Sequence, residues 1–191
     1  DKKSNWYYLN GNQTMVVLTE FLLQKRSTQK NIYKNCFVAS TIVSTPLIQK
    51  IAMHYDVGYK STLTGFKWIA KLIQDFPDLE FIGGGEESFG FLVGDSVRDK
   101  DAISASLLAC EIANEALKNG SSFFELLIKC YKKYGLYKEK LISITKKGKS
   151  GSEFIAKQMK NLRDNPPKTI GGSPVIILED YLKLRTYNFN L

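Results

Sequence analysis

Residues 83–101, GGGEESFGFLVGDSVRDKD, concentrate side chains able to do chemistry. Three glycines follow the short apolar run 79–82 and deliver two carboxylates and a hydroxyl, Glu86, Glu87 and Ser88. Arg98, Asp99, Lys100 and Asp101 come next, immediately before a long helical pattern. An ionised carboxylate only accepts hydrogen bonds, so the Glu pair suits a ligand rich in hydroxyl donors. The Arg and Lys suit an anion such as phosphate. A triple-glycine turn lets the backbone take φ > 0 and leaves room for close approach. The carboxyl ends of strands are also where open α/β sheets bind ligands. For G-G-G-E-E alone, the competing reading is a surface turn with solvated charges.

Other positions carry weaker signals. Thr64, Gly65 and Lys67 lie at a strand-to-helix turn, where backbone N–H groups and a lysine could face phosphate. Lys100 reads as an electrostatic group at a reacting anion or as a solvated lysine before a helix, and Arg98 as a phosphate or ion-pair residue. Asp101 reads as a helix cap rather than an acid. His54 is the only histidine, with no second one to share a metal. KKGKSG fails as a phosphate-binding P-loop, because the position for its first glycine is Ser143.

The elements that must hold these residues alternate helices with β-branched runs, an α/β signature. Helices are expected over 14–26, 45–55, 65–76, 102–118, from Ser122 to near Gly135, and over 152–163. Strands are expected over 37–43, 57–63, 80–83, 141–145 and 175–178. Thr45 and Pro46 are expected at N-cap and N1 of the second helix, and Ser122 with Glu125 forms a capping box. The boundary falls near Gly135, giving pieces 1–135 and 136–191. The second has too few elements to bury a core by itself.

Of 191 residues, 43% are hydrophobic and 24% charged, values of a globular chain. No run approaches the length of an uncharged membrane span. Cys36, Cys110 and Cys130 are odd in number, lack metal-ligand spacing and sit in apolar patterns. They read as buried free thiols in a reducing compartment, where the sequons at Asn12 and Asn119 carry no meaning. The net charge of +8 raises nucleic acid as a partner. The lysines are dispersed, however, with only Lys146, Lys147 and Lys149 clustered, and no nucleic-acid motif accompanies them.

GEESFG, a spacer, then RDKD and an apolar helix resemble the third domain of the α-D-phosphohexomutases, the phosphoglucomutases and phosphomannomutases. LNGNQT at 9–14, TGFK at 64–67, YGLYKEK at 134–140, KKGKSG at 146–151 and RDNPP at 163–167 extend the resemblance in the family's order. It implies a three-layer α/β/α sugar-binding domain III over 1–135, then the beginning of domain IV as an incomplete α+β segment. Glu86 and Ser88 would hold sugar hydroxyls and Glu87 would support the loop. Lys100 would lie by the reacting phosphate, with Gly65, Lys67 and Arg98 at the substrate and Asn12 and Gln13 structural. The activity implied is that of a cytoplasmic isomerase of carbohydrate metabolism, an intramolecular phosphotransferase. It would use a phosphoserine, Mg²⁺ and a hexose 1,6-bisphosphate.

The family's T-A-S-H-N-P serine loop, D-G-D-x-D-R metal loop and R-x-S-G-T phosphate loop are missing from this sequence. The chain also starts at Asp1 and ends at Asn190 and Leu191 without a helix stop. The expectation is a portion of a longer enzyme, inactive alone, with metal ligands elsewhere. A stand-alone sugar-phosphate-binding module is the alternative, and a basic nucleic-acid-binding domain a further one.

Overall fold

The computed structural model describes residues 6–28 and 35–189, so Asp1, Asn190 and Leu191 lie outside the described residues. It divides into two compact units, Asp1–Glu139 and Lys140–Leu191.

The first unit runs α1 (Gly11–Thr28), β1 (Cys36–Thr41), α2 (Leu47–His54), β2 (Gly58–Thr62), α3 (Phe66–Asp75), β3 (Glu80–Gly85), β4 (Phe91–Val93), α4 (Ala102–Lys118) and α5 (Phe123–Tyr134). The sheet order is β2-β1-β3-β4, with β1 parallel to β2 and β3, and β4 antiparallel to β3. All six residues of β1 are buried, as a parallel strand covered on both faces requires. Alternation along the strands feeds two cores. Val38 and Ile82 face Val16, Leu47, Ile51, Ile112 and Leu127 from α1, α2, α4 and α5. Phe37, Ala39 and Phe81 face Phe66, Ile69 and Ile73 of α3. The result is a three-layer α/β/α arrangement.

Local chemistry sets the helix starts. Asn10 and Gln13 bond reciprocally, Gln13 N–H to Asn10 Oδ1 at 2.9 Å and Asn10 N–H to Gln13 Oε1 at 3.0 Å, a capping-box exchange that begins α1 earlier than its apolar stripe suggests. Asp101 Oδ1 accepts from Ile103 N–H at 3.0 Å and starts α4. Ser122 Oγ accepts from Glu125 N–H at 3.2 Å at the head of α5. The second helix starts one residue later than the sequence suggests. Pro46 is its N-cap, and Thr45 Oγ1 accepts from Leu47 N–H at 3.3 Å.

A polar tie joins three helices. Glu20 of α1 accepts from Tyr55 Oη at 2.9 Å, Tyr134 Oη at 2.6 Å and Lys133 Nζ at 3.1 Å. Burial first, and the Glu20 charge second, push the Tyr55 phenol above its usual range. Tyr134 is raised by the same burial and by Glu20.

The three glycines at 83–85 do not form the expected turn: they lie within β3, and none takes a positive φ. The reason is close packing, since a Cβ on Gly84 would overlap the Ala39 carbonyl of β1. Nor are all three cysteines buried. Cys110 is exposed, whereas Cys36 and Cys130 are buried. Helix α4 has more apolar positions than one face can bury: Leu108, Ile112 and Ala116 point inward, and Ile103 and Leu107 remain in solvent. Burial pushes the Cys130 thiol up to about 12.

The second unit holds α6 (Gly148–Asp164) and two hairpins, β5 (Thr169–Ile170) with β6 (Ser173–Pro174), and β7 (Ile177–Asp180) with β8 (Arg185–Asn188). Residues 141–145, expected as a strand, form none. Among the described residues both hairpins pair only internally, so this β-branched run has no partner, and Leu141, Ile142 and Ile144 stay exposed. The strand expected over 175–178 lies instead at Ile177–Asp180. No hydrophobic side chain of the described residues in this unit is buried. Among the described residues no helix is long and apolar enough to cross a membrane.

Candidate functional site

Because β1, β2 and β3 are parallel, their carboxyl ends share one edge of the sheet, the edge where such sheets bind ligands. The segments leaving those ends carry Thr41 and Ser44, Thr64 to Lys67, and Glu86 to Gly90. Residues 86–90 are the tip of the β3–β4 hairpin, closed by Glu86 N–H donating to Gly90 O at 2.8 Å. Strand β4 is absent from the sequence reading because three residues carry no periodicity. Its flanking Gly90 and Gly94 are the available signal.

The two adjacent glutamates are tied in different directions. Glu86 is buried, and its Oε1 accepts from the Gly65 N–H at 2.8 Å. The N–H that the sequence offered to a phosphate is therefore used to orient Glu86. Glu87 reaches the end of β1, its Oε2 accepting from Thr41 Oγ1 at 3.2 Å and Ser44 Oγ at 3.1 Å. Ser88 is exposed at the tip, beside Phe89, an exposed ring on a backbone at φ 67°.

The tip is packed from below and from the side. A Cβ on Gly11, at the head of α1, would overlap the Glu87 carbonyl. A Cβ on Gly90 would meet Glu86 Oε2 at 3.3 Å, Lys100 Cδ at 3.3 Å and the Phe66 ring at 3.4 Å. Glu86, Lys100 and the start of α3 thus converge on Gly90. Lys100 is exposed, with Nζ 3.3 Å from Asp99 Oδ1 and 5.5 Å from the Phe66 ring centroid. Backbone and side-chain donors of Lys100 hold the Asp99 carboxyl below its usual range. Lys67 is exposed in the first turn of α3, 5.3 Å over Trp68, and Arg98 is exposed on the segment leading to α4. The arrangement presents one carboxylate oxygen, one hydroxyl and a spread of cations around a single hairpin tip.

Of two cavities in the first unit, only the smaller borders this geometry. One of about 200 Å³, between α1, α4 and the tip, includes Glu86, Phe89 and Gly90. A larger one, about 390 Å³ and bordered by Glu20, Ile112, Cys130 and Lys133, touches none of the tip residues. Asn12 is buried, with Oδ1 accepting from Thr45 N–H at 2.9 Å, a structural link between α1 and the start of α2. His54 is exposed and packs edge-on to Tyr55 and Tyr134. Among the described residues no three His, Cys, Asp or Glu side chains gather to hold a metal ion.

Residues 10–134 match the family model described as phosphoglucomutase/phosphomannomutase, alpha/beta/alpha domain III. A phosphoglucomutase of Staphylococcus haemolyticus is 34% identical over 186 residues, covering 97% of this chain and 33% of that protein. A phosphoglucomutase of Staphylococcus aureus strain N315 is 35% identical over 184 residues, covering 96% and 33%. The chain therefore spans about a third of the length of these relatives. Among solved structures, the open form of the Paramecium exocytosis-sensitive phosphoprotein parafusin, a phosphoglucomutase, aligns with a TM-score of 0.59 at 18% identity, over 95% of this chain and 31% of that one. A Thermus thermophilus protein assigned as a phosphomannomutase aligns at 0.54 and 24% identity, over 66% and 26%. At such identities the structures speak for the fold.

Proposed function

The chain belongs to the phosphoglucomutase/phosphomannomutase family, matching its domain III, and on that premise we propose that it is the sugar-binding domain of a longer hexose-phosphate mutase. The full-length enzyme would move a phosphoryl group reversibly between C1 and C6 of a hexose through a phosphoserine and a bisphosphate intermediate. The serine, the Mg²⁺ and the C-terminal phosphate loop are assigned to its other domains, so this chain alone turns over no substrate. No step assigned to the present residues runs through a metal.

The observation that supports this reading is the convergence at the hairpin tip. Glu86 Oε1 is occupied by Gly65 N–H, and Oε2, beside Gly90, accepts from a sugar hydroxyl. Ser88 supplies a second hydroxyl contact. One site must take both the 1-phospho and the 6-phospho sugar, and contacts to ring hydroxyls survive when the sugar turns end for end. Lys67 and Arg98 attract the phosphate, and Lys100, adjoining Glu86 at Gly90, offsets charge that develops during transfer. We assign the reaction to the cytoplasm, a reducing compartment in which the thiols of Cys110 and Cys130 persist.

Glu86→Gln tests the assignment. In the full-length enzyme it should weaken both substrate directions alike, by roughly 10- to 100-fold in kcat/KM, the cost of losing a charge-assisted hydrogen bond. Steady-state kinetics from glucose 1-phosphate and from glucose 6-phosphate measure it. Unchanged values in both directions would remove Glu86 from the site.

A further inference from the structure

We propose that Thr41 and Ser44 are positioning residues that set the sugar-binding tip through Glu87, an inference resting on the reading of the tip given above. Thr41 Oγ1 and Ser44 Oγ lie 2.8 Å apart, and Glu87 Oε2 lies 3.2 Å and 3.1 Å from them, closing a triangle of oxygens. Both hydroxyl residues are buried. A carboxylate has no proton to give, so the two hydroxyls must supply the donors, and without them a partly buried charge would be left unsatisfied.

The triangle does more than close a hairpin. The bond from Glu86 N–H to Gly90 O already does that. The clamp refers the tip to β1, the strand buried along its whole length. The turn carrying Ser44 is itself fixed by Ser44 N–H donating to Thr41 O at 3.0 Å. Adjacent residues are thereby pinned to two different strand ends, Glu86 beyond β2 through Gly65 and Glu87 beyond β1 through the hydroxyls. The Gly11 backbone blocks movement on the α1 side. The peptide between the two glutamates has little freedom left, so Glu86 Oε2 and Ser88 keep fixed positions without touching Thr41 or Ser44. Placement of this kind decides whether binding groups meet the reacting geometry.

The test is Thr41→Val and Ser44→Ala in the full-length enzyme, singly and together, beside Glu87→Gln and Glu86→Gln. The pair should lower kcat/KM about tenfold in both directions, the scale of one bond to a charged group. Thr41→Ser and Ser44→Thr, which keep the hydroxyl, should restore most of it. Adding the pair to Glu87→Gln should cost little more, because all three act through one contact. In this chain itself, amide exchange at residues 86–90 should quicken about tenfold in Ser44→Ala while the amides of β1 hold. That readout remains if Thr41→Val fails to fold. Lower melting temperature with unchanged kcat/KM and unchanged exchange at the tip would overturn the proposal. A silent brace with a damaging Glu86→Gln would sink the brace alone. A silent Glu86→Gln would sink the reading of the site together with it.

Discussion

Lys100→Met in the full-length enzyme should lower kcat by about 10²-fold or more while KM changes far less. That is the scale for removing one preorganised electrostatic donor, and the split follows if the ammonium acts mainly in the transition state. The side chain lies along Gly90 beside Glu86 Oε2, with its nitrogen held near Asp99, and the catalytic role proposed above rests on that placement. A lysine that merely attracts phosphate would raise KM and leave kcat nearly intact. A lysine that is only solvated surface would move neither. Thermal melting must accompany the kinetics, because Asp101 next to it caps α4. A wild-type melt with wild-type kcat would defeat the catalytic role.

The second large effect is structural. Gly84→Ala should destabilise the first unit by about 3 kcal/mol or more, the upper range for overpacking a core. The new methyl would overlap the Ala39 carbonyl oxygen and also sit 3.1 Å from its carbon and 3.2 Å from the Ala39 nitrogen. All are backbone atoms of the central strand, with no rotamer to yield. Gly83→Ala should cost less, since one of its neighbours is the Leu22 Cδ1 at 3.2 Å, the end of a side chain that can turn. Urea unfolding should show a lower midpoint at similar slope for Gly84→Ala. Equal midpoints for the two variants would contradict the close approach of Gly84 to the Ala39 backbone, its partner in the parallel pairing of β1 with β3.

The contrast between these glycines and the loop beside them shows what the sequence makes legible. GEESFG and RDKD stand out through their residue types, and their order along the chain places them at a strand end and a helix start. The helix α4 is readable because Asp101 and the apolar spacing agree. A run of glycines is ambiguous, because the same absence of Cβ serves a turn or a close strand approach. Only the neighbouring strand distinguishes them, and Ala39 is 45 residues from Gly84 in the numbering.

Thr41 and Ser44 look like ordinary residues of a strand end for the same reason: their partner Glu87 is 46 and 43 positions away. Residues 141–145 fail in the opposite sense. Their β-branched content favours a strand, yet a strand exists only with a partner, and propensity cannot supply one. Cys110 is misread because α4 is apolar on more than one face, and periodicity does not say which apolar face is covered.

The claim that the tip binds ring hydroxyls is tested most directly by a thermodynamic cycle between Glu86 and the sugar. Wild type and Glu86→Gln are assayed with hexose 1-phosphate and with analogues lacking one ring hydroxyl at a time. The hydroxyl that Glu86 holds should lose its value in the variant, leaving a coupling of about 1–3 kcal/mol for that analogue and little for the others. Strictly additive losses for every ring hydroxyl would contradict it.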